Sequence, residues 1–242
     1  MNTQRNTVSS PQIPSLYAGT QVRDISGYAV FSQGETGAAH ALAHRMFDNG
    51  RLRLGHRLLG DWLSSHQGQG SDWVHLQFHM ALFELALGDW DSAYGRFLSQ
   101  VLPTAATTNE ALTDAPALLW RLVMSAPEPV ALPWQPLRRT VLNCIGRNTS
   151  PFVQIHHLLA LAGAGDGTSI RGWLQHDKRH PVVVRFGLVC MALAERAYSE
   201  ADQRLQAMLP NLTQIGGSNA QGQLFDQLSG WAERQNPARI AA

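Results

Sequence analysis

The chain has 242 residues, long enough to bury a sizeable core as one domain or one short array of repeats. Its 19 lysines and arginines are matched by 18 aspartates and glutamates, and a formal net charge of +1 gives no field to draw it to nucleic acid or an anionic membrane. The two cysteines, Cys144 and Cys190, sit among apolar neighbours, which excludes a disulfide-built scaffold and points to a reducing compartment. Met1 to Ser15 is polar, without the apolar core of a signal peptide, and nowhere do eighteen apolar residues run together, so the expected location is the cytoplasm.

Along the chain, helical periodicity alternates with turn signals. Leu16 to Gln33 is a predicted helix weakened by Gly19 and Gly27. Thr36 to Asp48 follows, stopped by Gly50, then Leu52 to Ser65 ahead of Gln67-Gly68-Gln69-Gly70. Ser71 is predicted to cap Asp72 to Leu87, Gly88 closes that helix, and Asp89 caps the next as far as Leu102. Thr113 caps a helix to Ser125, and the prolines from Pro127 to Pro133 break the chain. Trp134 to Arg147 tolerates Pro136 in its first turn, and Ser150-Pro151 opens a helix that ends near Gly163. Ser169 to His176, Pro181 to Arg196, Ser199 to Met208 and Asn219 to Gln235 complete the set. No segment alternates well enough to be a strand, Val182-Val183-Val184 included, so the predicted class is all-α.

The turns at Asn49-Gly50-Arg51, Leu87-Gly88-Asp89, Gly163 to Asp166 and Arg196 to Ala201 each part a helix from its partner, and 38 residues separate Gly50 from Gly88, close to a paired-helix repeat. Such pairs must stack to bury their apolar faces. The expected architecture is a short right-handed superhelix of antiparallel helix pairs, a degenerate tetratricopeptide-like solenoid. It spans residues 16–235 as a single domain, between flexible segments at 1–15 and 236–242.

Histidines mark the candidate site. His40 and His44, like His75 and His79, are four residues apart and so share one helix face, while His156-His157 lies in a later apolar helix. Imidazole is a poor packing group, because its donor and acceptor both need partners once buried. These rings therefore predict a polar pocket within a greasy helical stack. Histidines at this spacing can chelate a metal, yet the glutamate of the His-Glu-x-x-His pattern is absent and no cysteine pair assists. The expectation is a site without cofactor, with metal ligation at His40, His44, His75, His79 or His156 as the second reading. Gly163 to Gly167 follows a helix and lacks the lysine of a phosphate loop, so it reads as a connection; Ser218 after Gly216-Gly217 reads as a helix cap.

Taken in order, His40-Ala-Leu-Ala-His44, the turn at Asn49, His75-Leu-Gln-Phe-His79 running on to Gly88-Asp89, Asp114 to Trp120-Arg121-Leu122, Phe152-Val-Gln-Ile-His156, and Ile215 to Gln221 resemble the ordered motifs of the tetratricopeptide repeat protein 38 family, over residues 36 to 228. The chain is shorter than the usual member, lacking most of the N-terminal helical pairs, and has Phe78 where tryptophan usually precedes the second histidine. The resemblance maps the family's motif residues onto His40, His44, His75, His79, Asp114, Arg121 and His156, and it implies no assigned activity. The chain also resembles small bacterial repeat proteins of toxoflavin-type azapteridine pathways. That second resemblance implies an oxidase.

In chemical terms, His79 and His156 projecting into one cavity would supply a base near neutrality, its basicity lowered by desolvation and raised by Asp114. Arg121 can hold a substrate anion or carbonyl oxygen. His40, His44 and His75 line the pocket, and Trp120, Phe78 and Trp73 offer stacking surfaces to a flat ligand. The expected function is thus a small-molecule enzyme of bacterial specialised metabolism, a cofactor-independent oxidase passing electrons from a reduced electron-rich heterocycle to dioxygen. The alternative is a non-catalytic tetratricopeptide-like module taking a peptide or protein partner in its concave groove. The expected partner is a small-molecule substrate, with self-association left open and nucleic acid and membrane excluded.

Overall fold

The computed structural model describes residues 36–109, 111–144, 149–175, 180–212 and 217–235. The expected helix Leu16–Gln33, the end segments 1–15 and 236–242, and the residues Arg147, His176, Ile215 and Gly216 lie outside the described residues. Every regular element is helical: α1 (Thr36–Asp48), α2 (Leu52–Ser65), α3 (Gly70–Ala86), α4 (Trp90–Arg96), a π-helical turn (Phe97–Val101), α5 (Leu102–Ala105), α6 (Asp114–Ser125), α7 (Trp134–Cys144), α8 (Pro151–Gly163), α9 (Gly167–Leu174), α10 (Pro181–Ala194), α11 (Tyr198–Gln206), α12 (Leu209–Leu212) and α13 (Asn219–Arg234). Among the described residues there is no strand, and no helix is long and apolar enough to cross a membrane. Val182, Val183 and Val184 fall in the first turn of α10, started by Pro181 and by His180, whose ring accepts from the Val182 amide.

One turn is used four times. At Gly50, Gly88, Gly165 and Arg196 the chain takes a left-handed conformation, with φ of 66°, 84°, 70° and 60°. Each time the next amide reaches back to the final turn of the preceding helix: Arg51 to Met46, Asp89 to Glu84, Asp166 to Leu161 and Ala197 to Ala192, at 2.8–2.9 Å. Those bonds satisfy carbonyls that the helix end would orphan, and glycine enters the left-handed region without a Cβ clash. Asp89 and Asp166 then cap the following helices through the amides of Ser92 and Ser169.

Some expected boundaries move. Ser71 does not cap α3, which begins two residues earlier than expected at Gly70, and its hydroxyl faces Asp72 instead. Thr113 makes no capping bond, because a turn at residues 111–113 already feeds α6, with the Ala115 amide on the Ala111 carbonyl. The helix expected to end at Leu102 continues past Pro103 to Ala105, through a π turn in which the Leu102 amide bonds the Phe97 carbonyl. A proline removes one ladder bond and crowds the turn before it, and a wider turn accommodates that.

Packing follows the chain. α1 lies on α3, α3 on α6, α6 on α8 and α8 on α10, while α2, α4, α7, α9 and α11 each pack beside a member of that series. The series carries the core: α3 is buried on every side from Leu76 to Glu84, and α6 from Asp114 to Leu122, as central helices must be. A smaller cluster of Ala39, Leu42, Leu59, Trp62, Leu76 and Phe83 joins the first three helices, where Gly55 leaves room for the Phe83 ring. α13 returns across the molecule to pack on α6, α11 and α1.

Candidate functional site

The helical period brings four imidazoles together. His40 and His44 project from one face of α1 and His75 and His79 from one face of α3, and the two faces meet. His40 Nε2 lies 2.8 Å from His44 Nε2 and 3.0 Å from His75 Nε2, and His75 Nε2 lies 3.2 Å from His79 Nε2. Ring centroids are 4.4–5.1 Å apart across both helix pairs. Asp114, the first residue of α6 and buried, places Oδ2 2.8 Å from His75 Nδ1. His75 Nδ1–H therefore donates to the carboxylate, which turns Nε2 toward the other three rings. Among the described residues these four histidines are the group able to hold a metal ion, with ligand atoms all within 4.8 Å of one another.

Electrostatics separate the rings. Burial, then the charges of His75, His44, His40 and Arg121, push His79 well below the ordinary 6.5. Burial, followed by His75 and His44, brings the half-exposed His40 down to about 4, and burial lowers His44. His75 moves the other way: burial acts to lower it, but the hydrogen bond and charge of Asp114 outweigh that. At neutral pH the centre is a set of neutral rings around one that is biased toward the cation.

Beside it, Arg121 is buried one face along α6. It donates to the carbonyls of Ala117 at 3.0 Å and of Ala220 on α13, with its guanidinium 5.9 Å above the Phe78 ring. Burial lowers its pKa to about 9, Asp114 opposing, so it stays cationic at pH 7. Arg121 also lines a cavity of about 280 Å³ between α13 and the ends of α1, α3 and α6, with Phe47, Leu82, Met124, Gln223 and Asp226 around it. Phe78 stacks on His75 at 5.8 Å and meets His79 edge-on at 5.6 Å.

The other expected site residues lie apart from the four-ring contact. His156 is fully buried in α8, its Nδ1–H donating to the Phe152 carbonyl at 2.8 Å and its Nε2 facing the Gln221 side-chain amide at 3.1 Å. Burial lowers its pKa. Trp120 donates to the Leu159 carbonyl at 2.9 Å between Trp134 and Trp231, on a larger groove of about 720 Å³ that none of the site histidines lines. Trp73 packs 6.2 Å from Trp62 in the small N-terminal cluster. Sequence reasoning missed Gln221 and Ala220 as partners of His156 and Arg121, and missed the buried Glu84, which takes both Arg96 Nε and Nη2 while Nη1 reaches Gln77. A carboxylate and an amide inside the apolar run of α3 were the signal for the last.

Fold and site define an all-helical protein with four converging imidazoles backed by a carboxylate. The chain matches no family model, and no solved structure matches it.

Proposed function

We propose that this chain is a small-molecule oxidoreductase that uses dioxygen to oxidise a reduced, electron-rich heterocycle of the azapteridine type at its histidine centre. The observation that carries this reading is the meeting of His40, His44, His75 and His79 beside Asp114, with Phe78 against His75 and His79 and Arg121 over the Phe78 ring. The reduced substrate gives up two electrons and two protons as a new C=N or C=C bond forms, and dioxygen takes both pairs and leaves as hydrogen peroxide. The neutral rings accept the protons, and Arg121 steadies the negative charge that builds on the heterocycle.

The surrounding fold is proposed as a degenerate tetratricopeptide-like right-handed superhelix related to the tetratricopeptide repeat protein 38 family, with α1, α3, α6, α8 and α10 as its inner helices. The fourfold recurrence of one turn and the serial packing support it. The buried thiols Cys144 and Cys190 support a reducing, cytoplasmic setting. The peptide-groove alternative is the weaker reading, because α13 already packs on α6 and α1.

Oxygen uptake and peroxide formation, measured with reduced azapteridines, test the proposal. Wild type should consume oxygen and release peroxide in equal amounts, and His79→Ala and His75→Ala, checked as folded by circular dichroism, should lose at least 100-fold in rate. No uptake by wild type, or full activity in both folded variants, removes the oxidase reading.

A further inference from the structure

We infer that His40, His44, His75 and His79 form a binding site for one divalent first-row transition-metal ion. This goes beyond the oxidase reading and does not depend on it: a bound ion would occupy the lone pairs that the reading uses as proton acceptors, so the two are tested separately.

An imidazole nitrogen offers either one N–H or one lone pair, and His75 gives its Nδ1–H to Asp114. Whether its Nε2 carries a proton or a lone pair, that single group is faced by His40 Nε2 at 3.0 Å and His79 Nε2 at 3.2 Å. His40 Nε2 is in turn only 2.8 Å from His44 Nε2. Three short contacts thus run through four like atoms, and the central nitrogens would each have to serve two neighbours with one proton or one lone pair. A cation among the four resolves this at once, since every Nε2 turns its lone pair inward and every Nδ1 keeps its proton outward.

Geometry agrees. A tetrahedral ion with metal–nitrogen bonds of about 2.0–2.1 Å holds its nitrogens about 3.4 Å apart. The three short contacts lie at 2.8–3.2 Å and no pair of ligand atoms exceeds 4.8 Å, so small side-chain rotations suffice. Both pairs are rooted on packed helices, which fixes their spacing before any ion arrives. Asp114 occupies the outer position that orients a ligating imidazole in metal sites: a buried carboxylate on the nitrogen away from the ion.

The donor set names the class. Four neutral nitrogens suit zinc, copper, nickel or iron, whereas magnesium and calcium demand oxygen. They also leave the ion's double positive charge unneutralised except by Asp114, so the bound ion would favour an anionic ligand on the flank where His40, His44 and His75 are only partly buried. The sequence alone favoured a site without cofactor, because the glutamate of the His-Glu-x-x-His pattern is absent and no cysteine pair assists; the meeting of the two histidine pairs appears only in the fold.

The test uses the untagged full chain, stripped with chelator and titrated with Co(II), whose visible bands report nitrogen coordination, with elemental analysis for stoichiometry. One ion per chain is expected, with no response to Mg(II). His44→Ala, at a half-buried position, should weaken binding at least 100-fold, and Asp114→Asn should weaken it 10- to 100-fold while retaining the bands. His56→Ala, away from the centre, should match wild type. Well under one ion per chain, or unchanged affinity in folded His44→Ala and His40→Ala, overturns the site. Stoichiometric binding without oxygen uptake keeps the metal and removes the oxidase; oxygen uptake by stripped protein that binds no Co(II) does the reverse.

Discussion

Two arginines, Arg96 partly exposed and Arg121 buried, show how differently this core treats a cation. Arg96 is clamped by Glu84, with Nε and Nη2 both on the carboxylate at 2.6–3.1 Å and Nη1 on Gln77, whereas Arg121 has two backbone carbonyls and an aromatic face. Glu84 is 2 % exposed, so breaking its pair strands charge in the core. Arg96→Met, which leaves the Glu84 carboxylate unpaired, should therefore destabilise the protein by about 3 kcal/mol, read from urea unfolding at pH 7. A loss under about 1 kcal/mol would mean that water reaches the pair and screens it. A buried indole is the neutral counterpart: Trp120→Phe removes the hydrogen bond to the Leu159 carbonyl and should cost about 1 kcal/mol. At this scale the sequence told part of the site. Histidines four apart must share a face, so each pair was legible. The bond from Asp114 to His75 spans 39 residues, and no local pattern encodes it. Trp120 and Arg121 are neighbours in sequence but point about 100° apart around their helix, which is why Arg121 meets Phe78 and α13 and Trp120 the tryptophan cluster.

Among elements, the repeated left-handed turn does the most to set the architecture, and Arg196 is its exception. Gly50, Gly88 and Gly165 hold that position at three of the four turns, and Arg196 adopts φ of 60° with a Cβ in place. Arg196→Gly should relieve this strain and raise stability by about 1 kcal/mol, a rise of about 2–4 °C in Tm for a chain of this size. An unchanged or lower Tm would show that the Arg196 side chain, which lines the larger groove, contributes more than its backbone loses. These turns were legible because glycine announces them; the fourth was legible only through its place between two helical runs. Caps were harder. Asp89, Ser150 and Ser218 accept the amides expected of them, but Ser71 and Thr113 do not, since a helix that starts earlier or is fed by a preceding turn has no orphan amide waiting there.

For the whole molecule, α8 lies between α6 and α10 in the packed series, and its two buried histidines reach out to α13 and α7. His156 meets Gln221 of α13, and the adjacent His157 lies 3.9 Å from the Cys144 thiol of α7. Burial, followed for His157 by the charge of its neighbour, lowers both, His157 to about 4 from an ordinary 6.5. In the unfolded chain both rings take up a proton as pH falls through 6.5, while in the folded chain they resist. The unfolded state thus binds more protons across that interval, so stability is full above pH 6.5 and declines as pH falls toward 4. His75, raised by Asp114, contributes with the opposite sign, whereas His40, His44 and His79, all lowered, add to the decline. In metal-free protein, which removes any competition between protons and an ion, the stability at pH 5 should be lower than at pH 7.5, with His157 alone accounting for on the order of 2 kcal/mol. His157→Gln should make the profile shallower by about that amount without altering the fold by circular dichroism. A wild-type profile already flat between pH 7.5 and 5 would mean that these rings are protonated inside the folded molecule, and that the junction of α8 and α13 opens to water more readily than its packing indicates.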